Sequence, residues 1–123
     1  MKGLIDLPKI IVSYSLEKKE KIEKEARGII NNNRLIFNDG NYDINIQIMD
    51  DYLIMKRENK EIISEMNFNQ KSSCKYFLKK YNKYVTFDIE LIKLVIKENN
   101  VELVYKIEDD IFNFNLHYEV IKC

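Results

Sequence analysis

The sequence predicts an all-β protein, a single antiparallel meander that closes into a barrel of about ten strands. Three observations predict it. Apolar and polar residues alternate with a period of two along most of the chain, the mark of strands with one dry face and one wet face. Polar turns interrupt that alternation roughly every ten residues. The connections are short, which favours pairing between strands adjacent in sequence. About ten strands is also near the number at which an open twisted sheet closes or splits, and closure removes exposed edges.

Each element follows in order. Ile10, Val12, Tyr14 and Leu16 alternate with Ile11, Ser13 and Ser15, a first strand just after Pro8, which is tolerated at a strand's start. Glu17 to Arg27 is dense in Glu and Lys, a helical composition, yet it holds one Ile22 and no stripe at the helical period. A helix with nothing to bury is marginal in water, so this stretch is expected as an exposed strand blunted by charge, with helix as the competing assignment. Asn31, Asn32 and Asn33 form a turn, and Leu35 and Phe37 alternate beyond it. Asp39 and Gly40 supply a type I′ hairpin pair, after which Tyr42, Ile44, Ile46 and Ile48 alternate with Asp43, Asn45 and Gln47.

Asp50 and Asp51 turn the chain into a central hairpin, Asp51 to Phe68, in which Leu53 and Met55 lead to a charged tip and a second strand ends in Met66 and Phe68. Two registers are open: a two-residue turn sets Lys56 opposite Glu61, and a bulged turn with Asn59 left-handed shifts the pairing. After a turn at Asn69 to Lys71, Cys74, Tyr76 and Leu78 alternate, and a basic tip leads to Val85, Phe87 and Ile89. Ile92, Leu94 and Ile96 form the next strand, turned by Glu98, Asn99 and Asn100. Val101, Leu103, Tyr105 and Ile107 follow, then Asp109 and Asp110, then Phe112, Phe114, Leu116, Tyr118 and Val120.

At 123 residues the chain fits one domain, 1–123, large enough to enclose a core without disulfide or metal support. Its 20 basic and 20 acidic residues cancel, so no global field draws it to nucleic acid or an anionic membrane. No run approaches the roughly 20 apolar residues of a spanning helix. Asp6, Pro8 and Lys9 break the N-terminal apolar segment, so no secretory leader is read there. Cys74 and Cys123 are the only cysteines, and a staple at the extreme C-terminus gains little. A cytoplasmic protein is expected.

Residues 54–68 read IMKRENKEIISEMNF and are followed by Cys74, Tyr76, a second tip and later Val104, Tyr105, Lys106 and Ile107. A strand ending in Arg57, a turn, a strand with Met66 and Phe68, and Tyr76 before another turn resemble the YwiB-like family, small bacterial proteins of unknown function. The resemblance covers roughly Gly28 to Leu116. It implies a calycin-like (lipocalin-like) barrel and no established activity. Asn59 and Asn82 stand where the family has turn glycines, and Asn also adopts positive φ readily.

The chemistry-bearing residues are sparse. His117 is the only histidine and falls on the wetter face, without a second His or a Cys pair at ligand spacing, so no metal site and no cofactor are expected. Cys74 shares a face with Tyr76 and Leu78, where a cysteine is usually a small hydrophobe. The pairs Asp50 with Asp51 and Asp109 with Asp110 fall in turns, where Asp serves local hydrogen bonding. No phosphate-cradling loop or nucleophile signature appears, so no catalytic residue is assigned and no enzyme is expected.

Two features remain. Arg57 shares the parity of Met55 and Leu53; if that face is the interior, its guanidinium lies inside or at the mouth and needs a partner such as an anionic ligand. The alternative, weightier on ordinary surface usage, is that Arg57 pairs with Glu58 or Glu61 in water. The second feature is Lys75, Lys79, Lys80 and Lys83 interleaved with Tyr76, Phe77, Tyr81 and Tyr84, a tip that could stack bases, though most such tips are merely solvated. The leading expectation is a binding barrel for a small amphipathic or anionic molecule, with Arg57, Tyr76 and Tyr105 as contacts. The alternative is a nucleic-acid or protein interaction module using the surface around Lys79 to Tyr84. Oligomeric state is not legible.

Overall fold

A computed structural model describes residues 7–69 and 71–121; Cys123, and Lys2 and Asp6 of the N-terminal segment, lie outside the described residues. Eleven strands form one antiparallel sheet: β1 (Lys9–Glu17), β2 (Lys21–Asn31), β3 (Arg34–Asn38), β4 (Asp43–Ile48), β5 (Leu53–Glu58), β6 (Ile62–Phe68), β7 (Ser73–Leu78), β8 (Lys83–Asp88), β9 (Glu90–Lys97), β10 (Asn100–Ile107) and β11 (Asp110–Val120). The order is β8-β7-β6-β5-β4-β3-β2-β1-β11-β10-β9, so among the described residues the sole pairing between strands distant in sequence joins β1 to β11. The sheet ends, β8 and β9, are consecutive in the chain and separated only by Ile89. They are two halves of one extended run: the first pairs with β7 and the second with β10, which wraps the sheet into a nearly closed barrel. The sequence reads both halves as separate strands, and the observed eleven agree with the expected ten or so.

The interior follows the alternation. Ile10, Val12, Leu35, Ile46, Leu53, Phe68 and Leu103 are almost wholly buried, and each buried aliphatic or aromatic side chain of this size contributes about 1.5–3 kcal/mol. Of the stretch Glu17 to Arg27, Glu17 ends β1, 18–20 turn the chain and residues 21–27 belong to strand β2, as the lack of an apolar stripe implies. β2 pairs with β1 along its length but with β3 only from Gly28 onward, which leaves the Lys- and Glu-rich portion at a free edge. Gly28 marks where the strands close up: a Cβ there would run into the Ile36 carbonyl oxygen and stand 2.7 Å from Phe37 Cβ.

Three local expectations change. The β3–β4 turn is a four-residue loop, 39–42, rather than a two-residue type I′ turn: Gly40 takes φ +96°, and Asp39 Oδ1 accepts from the Asn41 and Tyr42 N–H groups at 2.9 and 2.7 Å. Asn59 is not left-handed. Its Oδ1 accepts from the N–H groups of Glu61 and Ile62 at 2.8 and 2.9 Å, the same device as Asp39, and the register pairs Lys56 with Glu65 and Arg57 with Ser64. Asn82 does take positive φ, 50°. Finally, β9 carries a bulge: Lys93 opposes Val104 and Leu91 opposes Tyr105, so Ile92 is the extra residue and is 49% exposed while Leu91 packs against the core. Among the described residues there is no helix long and apolar enough to cross a membrane.

Candidate functional site

Alternation along β5 directs Leu53, Met55 and Arg57 to one side, and the first two are buried in the core. Arg57 therefore points into the barrel, near the rim formed by the turns at 39–42, 59–61, 79–82 and 108–109. It lines a cavity of about 110 Å³ together with Tyr76 of β7 and Tyr105 of β10. The structure thus brings the three sequence-selected residues to one place. The rest of the wall is aromatic and aliphatic: Tyr14 and Leu16 from β1, Phe37 from β3, Ile44 and Ile46 from β4, Met55 and Met66, Ile107, Phe112 and Phe114. Tyr105 is fixed by stacking on Phe112, with ring centroids 5.1 Å apart and planes at 12°, and by Phe68 at 5.0 Å.

Arg57 is the one side chain in this wall that carries a full charge at neutral pH. Its guanidinium lies over the Tyr42 ring, 4.7 Å from the centroid, a cation–π contact at the rim. Its Nε is buried and has no hydrogen-bond partner among the described residues, and no carboxylate there lies within ion-pair distance of it. The expected alternative, a solvated pair with Glu58 or Glu61, is not formed: Glu58 bonds Lys79 instead, at 2.7 Å. Asp39, a carboxylate at this rim, is engaged on both oxygens, by the Tyr14 hydroxyl at Oδ2 and by backbone N–H groups at Oδ1.

Two polar neighbours of this site escaped the sequence reading. Ser64 is fully buried, and its Oγ has no partner among the described residues. It stands directly opposite Arg57 on one side and Tyr76 on the other. Its parity with Met66 and Phe68 was the available signal, a hydroxyl on an apolar face. Tyr14 was readable only as a strand residue, because its partner Asp39 lies 25 residues away in sequence.

Burial raises the hydroxyl pKa of Tyr105 and Tyr76, and the Arg57 charge opposes this in both. Burial raises that of Tyr14 too, followed by its hydrogen bond to Asp39. For Asp39 burial works upward, but the bonds from Tyr14, Asn41 and Tyr42 together with Lys24 outweigh it and hold the carboxyl below its ordinary value. The cavity wall at neutral pH is therefore one cation, neutral tyrosine hydroxyls and hydrocarbon.

No family model matches the chain, and no curated protein matches it in sequence. Among solved structures, the crystal structure of the ywiB protein from Bacillus subtilis aligns with a TM-score of 0.62 over 94% of this chain and 93% of its own, at 11% identity. The chain shares the fold of YwiB. At that identity the likeness concerns the fold alone, and it agrees with the resemblance read from Arg57, Met66, Phe68 and Tyr76.

On this YwiB-like barrel the remaining candidates separate. Cys74 is free and fully buried, and burial raises its thiol pKa, the state of an inert core cysteine. His117 sits on the outer face, bonded to Asn100 Oδ1 at 2.9 Å and beside Glu119. Among the described residues no group of three or more His, Cys, Asp or Glu side chains is placed to hold a metal. In the basic hairpin Lys79 is tied to Glu58 and to the Asn59 carbonyl, and Lys75 lies 4.6 Å from the Tyr84 ring centroid. Tyr81 and Tyr84 stay exposed, at 66% and 63%.

Proposed function

We propose that the protein is a non-enzymatic, cytoplasmic binding barrel of calycin-like type that takes a small amphipathic or anionic molecule into its interior, with Arg57, Tyr76 and Tyr105 as its polar contacts. One observation carries this: Arg57 lines a cavity whose other walls are hydrocarbon, thioether and neutral tyrosine, and its buried Nε–H is unpartnered among the described residues. A buried donor left unsatisfied costs about 1–3 kcal/mol, and an anion accepting from it would recover that cost. A free, buried Cys74 is in keeping with a reducing compartment.

Methyl NMR tests it. Met55 and Met66 line the cavity while Met49 lies outside it, so a pool of small metabolites extracted from the cytoplasm should move the first two methyl signals and leave Met49 in place. Arg57→Leu should suppress the shifts, and Lys56→Leu, on the outer face, should not. Methyl signals that never move, or that move equally in Arg57→Leu, would count against interior binding.

A second reading is favoured by the exposed Tyr81 and Tyr84 beside Lys80 and Lys83: docking of single-stranded nucleic acid or a protein on the β7–β8 tip. Association that weakens steeply with salt and is lost in a Lys79→Glu, Lys80→Glu, Lys83→Glu variant, but kept in Arg57→Leu, would support it. Absence of salt-dependent binding by the unmodified protein would remove it.

A further inference from the structure

We infer that the interior site is built for a compact monoanion, a short-chain carboxylate whose head lies at Arg57 on the side that faces Ser64 and whose few carbons lie against Met55 and Met66. The inference rests on the interior-binding reading above and narrows it by charge, geometry and size.

Charge comes first. Arg57 supplies a single positive charge, and the Asp39 carboxylate is already engaged by Tyr14 and its own loop. A dianion would bring a second charge into a low-dielectric wall with nothing to balance it, which disfavours a phosphate monoester. Geometry comes next. A guanidinium presents planar, forked donors that match a carboxylate. The two unpartnered buried donors, Arg57 Nε and Ser64 Oγ, belong to residues directly opposite each other in the β5–β6 ladder. Ser64 lies behind the cavity wall rather than in its lining, but opposed residues in an antiparallel pair have Cα atoms about 4.5–5.5 Å apart, so the carboxylate head is placed at Arg57 on the side that faces Ser64. Size sets the tail. A cavity of about 110 Å³ is well below the roughly 300–1,000 Å³ of sites for drug-sized ligands. Thioethers and hydrocarbon line it beyond the cation, so the tail is apolar and only a few carbons long.

The chain has three arginines, Arg27, Arg34 and Arg57, so the Arg Nε–H signals form a small, assignable set in a nitrogen-15 correlation spectrum. Sodium butyrate should shift the Arg57 Nε–H and the Met55 and Met66 methyls saturably. Butyramide, of the same size without the charge, should bind at least about tenfold more weakly, as should octanoate and inorganic phosphate. Ser64→Ala should weaken butyrate about tenfold and Arg57→Leu about a hundredfold. Butyramide equal to butyrate, phosphate or octanoate binding tighter than butyrate, or Ser64→Ala without effect would overturn the assignment. If the metabolite pool moves the Met55 and Met66 methyls but butyrate moves nothing, the ligand class is wrong and interior binding stands. If neither moves them, both fall.

Discussion

Arg57 stands in the core-facing row of β5 with its Nε buried and without a partner among the described residues. It interrupts an inward row in which Phe37, Ile44, Arg57, Ser64 and Tyr76 follow one another across β3 to β7, and it leaves a buried Nε unmatched. Against that stands its contact with the Tyr42 ring, a cation–π interaction of about 0.5–2 kcal/mol. A methionine of similar length keeps the packing of the stem and removes the unsatisfied donor. Arg57→Met is therefore expected to stabilise the fold by on the order of 1 kcal/mol, read as a higher urea midpoint with unchanged slope. A loss of stability of that size instead would mean that Arg57 braces the rim through Tyr42 and is not held there for a ligand.

The turns show how two elements of similar composition can be built on different physics. Asn82 is left-handed, at φ 50°, whereas Asn59 keeps negative φ and uses its side-chain oxygen to hold the N–H groups of Glu61 and Ile62. Asn82→Gly should be neutral or slightly stabilising, and Asn82→Ala should cost about 1–2 kcal/mol for a Cβ in the left-handed region. At Asn59 the order differs. Asp should be tolerated, as Asp39 performs the same task in its own loop, and Gly should cost about 1 kcal/mol for the lost hydrogen bonds. Urea midpoints of the four variants check the contrast. The sequence does not distinguish the two turns because Asn supplies either device and only the loop length selects between them. The Ile92 bulge is hidden for a similar reason: Leu91 and Ile92 are equally apolar, and which one turns inward is decided by pairing with Val104 and Tyr105 on β10. Where the alternation runs unbroken, as from Ile44 to Ile48 or Val101 to Ile107, the dry face was legible residue by residue. So was the parity of Arg57, while the choice between rim water and cavity depended on Glu58 being engaged by Lys79.

At the scale of the whole molecule, one end of the barrel is filled by Ile10, Leu35, Leu53, Phe68 and Leu103, and the other holds the cavity with its tyrosines. This division makes stability depend on pH on the alkaline side. Burial raises the folded-state pKa of Cys74 above 9.0 and of Tyr105 above 10.0, their ordinary values. Below about pH 9 both groups are protonated whether the chain is folded or not, and neither contributes a pH dependence. Above its ordinary value each group loses its proton in the unfolded chain while the folded chain retains it, so the unfolded state binds fewer protons and folding stability falls as pH rises. The decline continues until the folded-state pKa is reached, at about 1.4 kcal/mol per pH unit for each fully buried group. Cys74 is wholly buried and Tyr105 is 6% exposed, so both qualify. Tm is thus expected to be flat between about pH 6 and 8.5, to begin falling near pH 9 and to steepen above pH 10. Cys74→Ala should remove the first part of the fall, and Tyr105→Phe should reduce the second. A wild-type Tm that holds constant to pH 11 would mean that water reaches Cys74 and Tyr105 and that the interior around them is less tightly closed than their burial indicates.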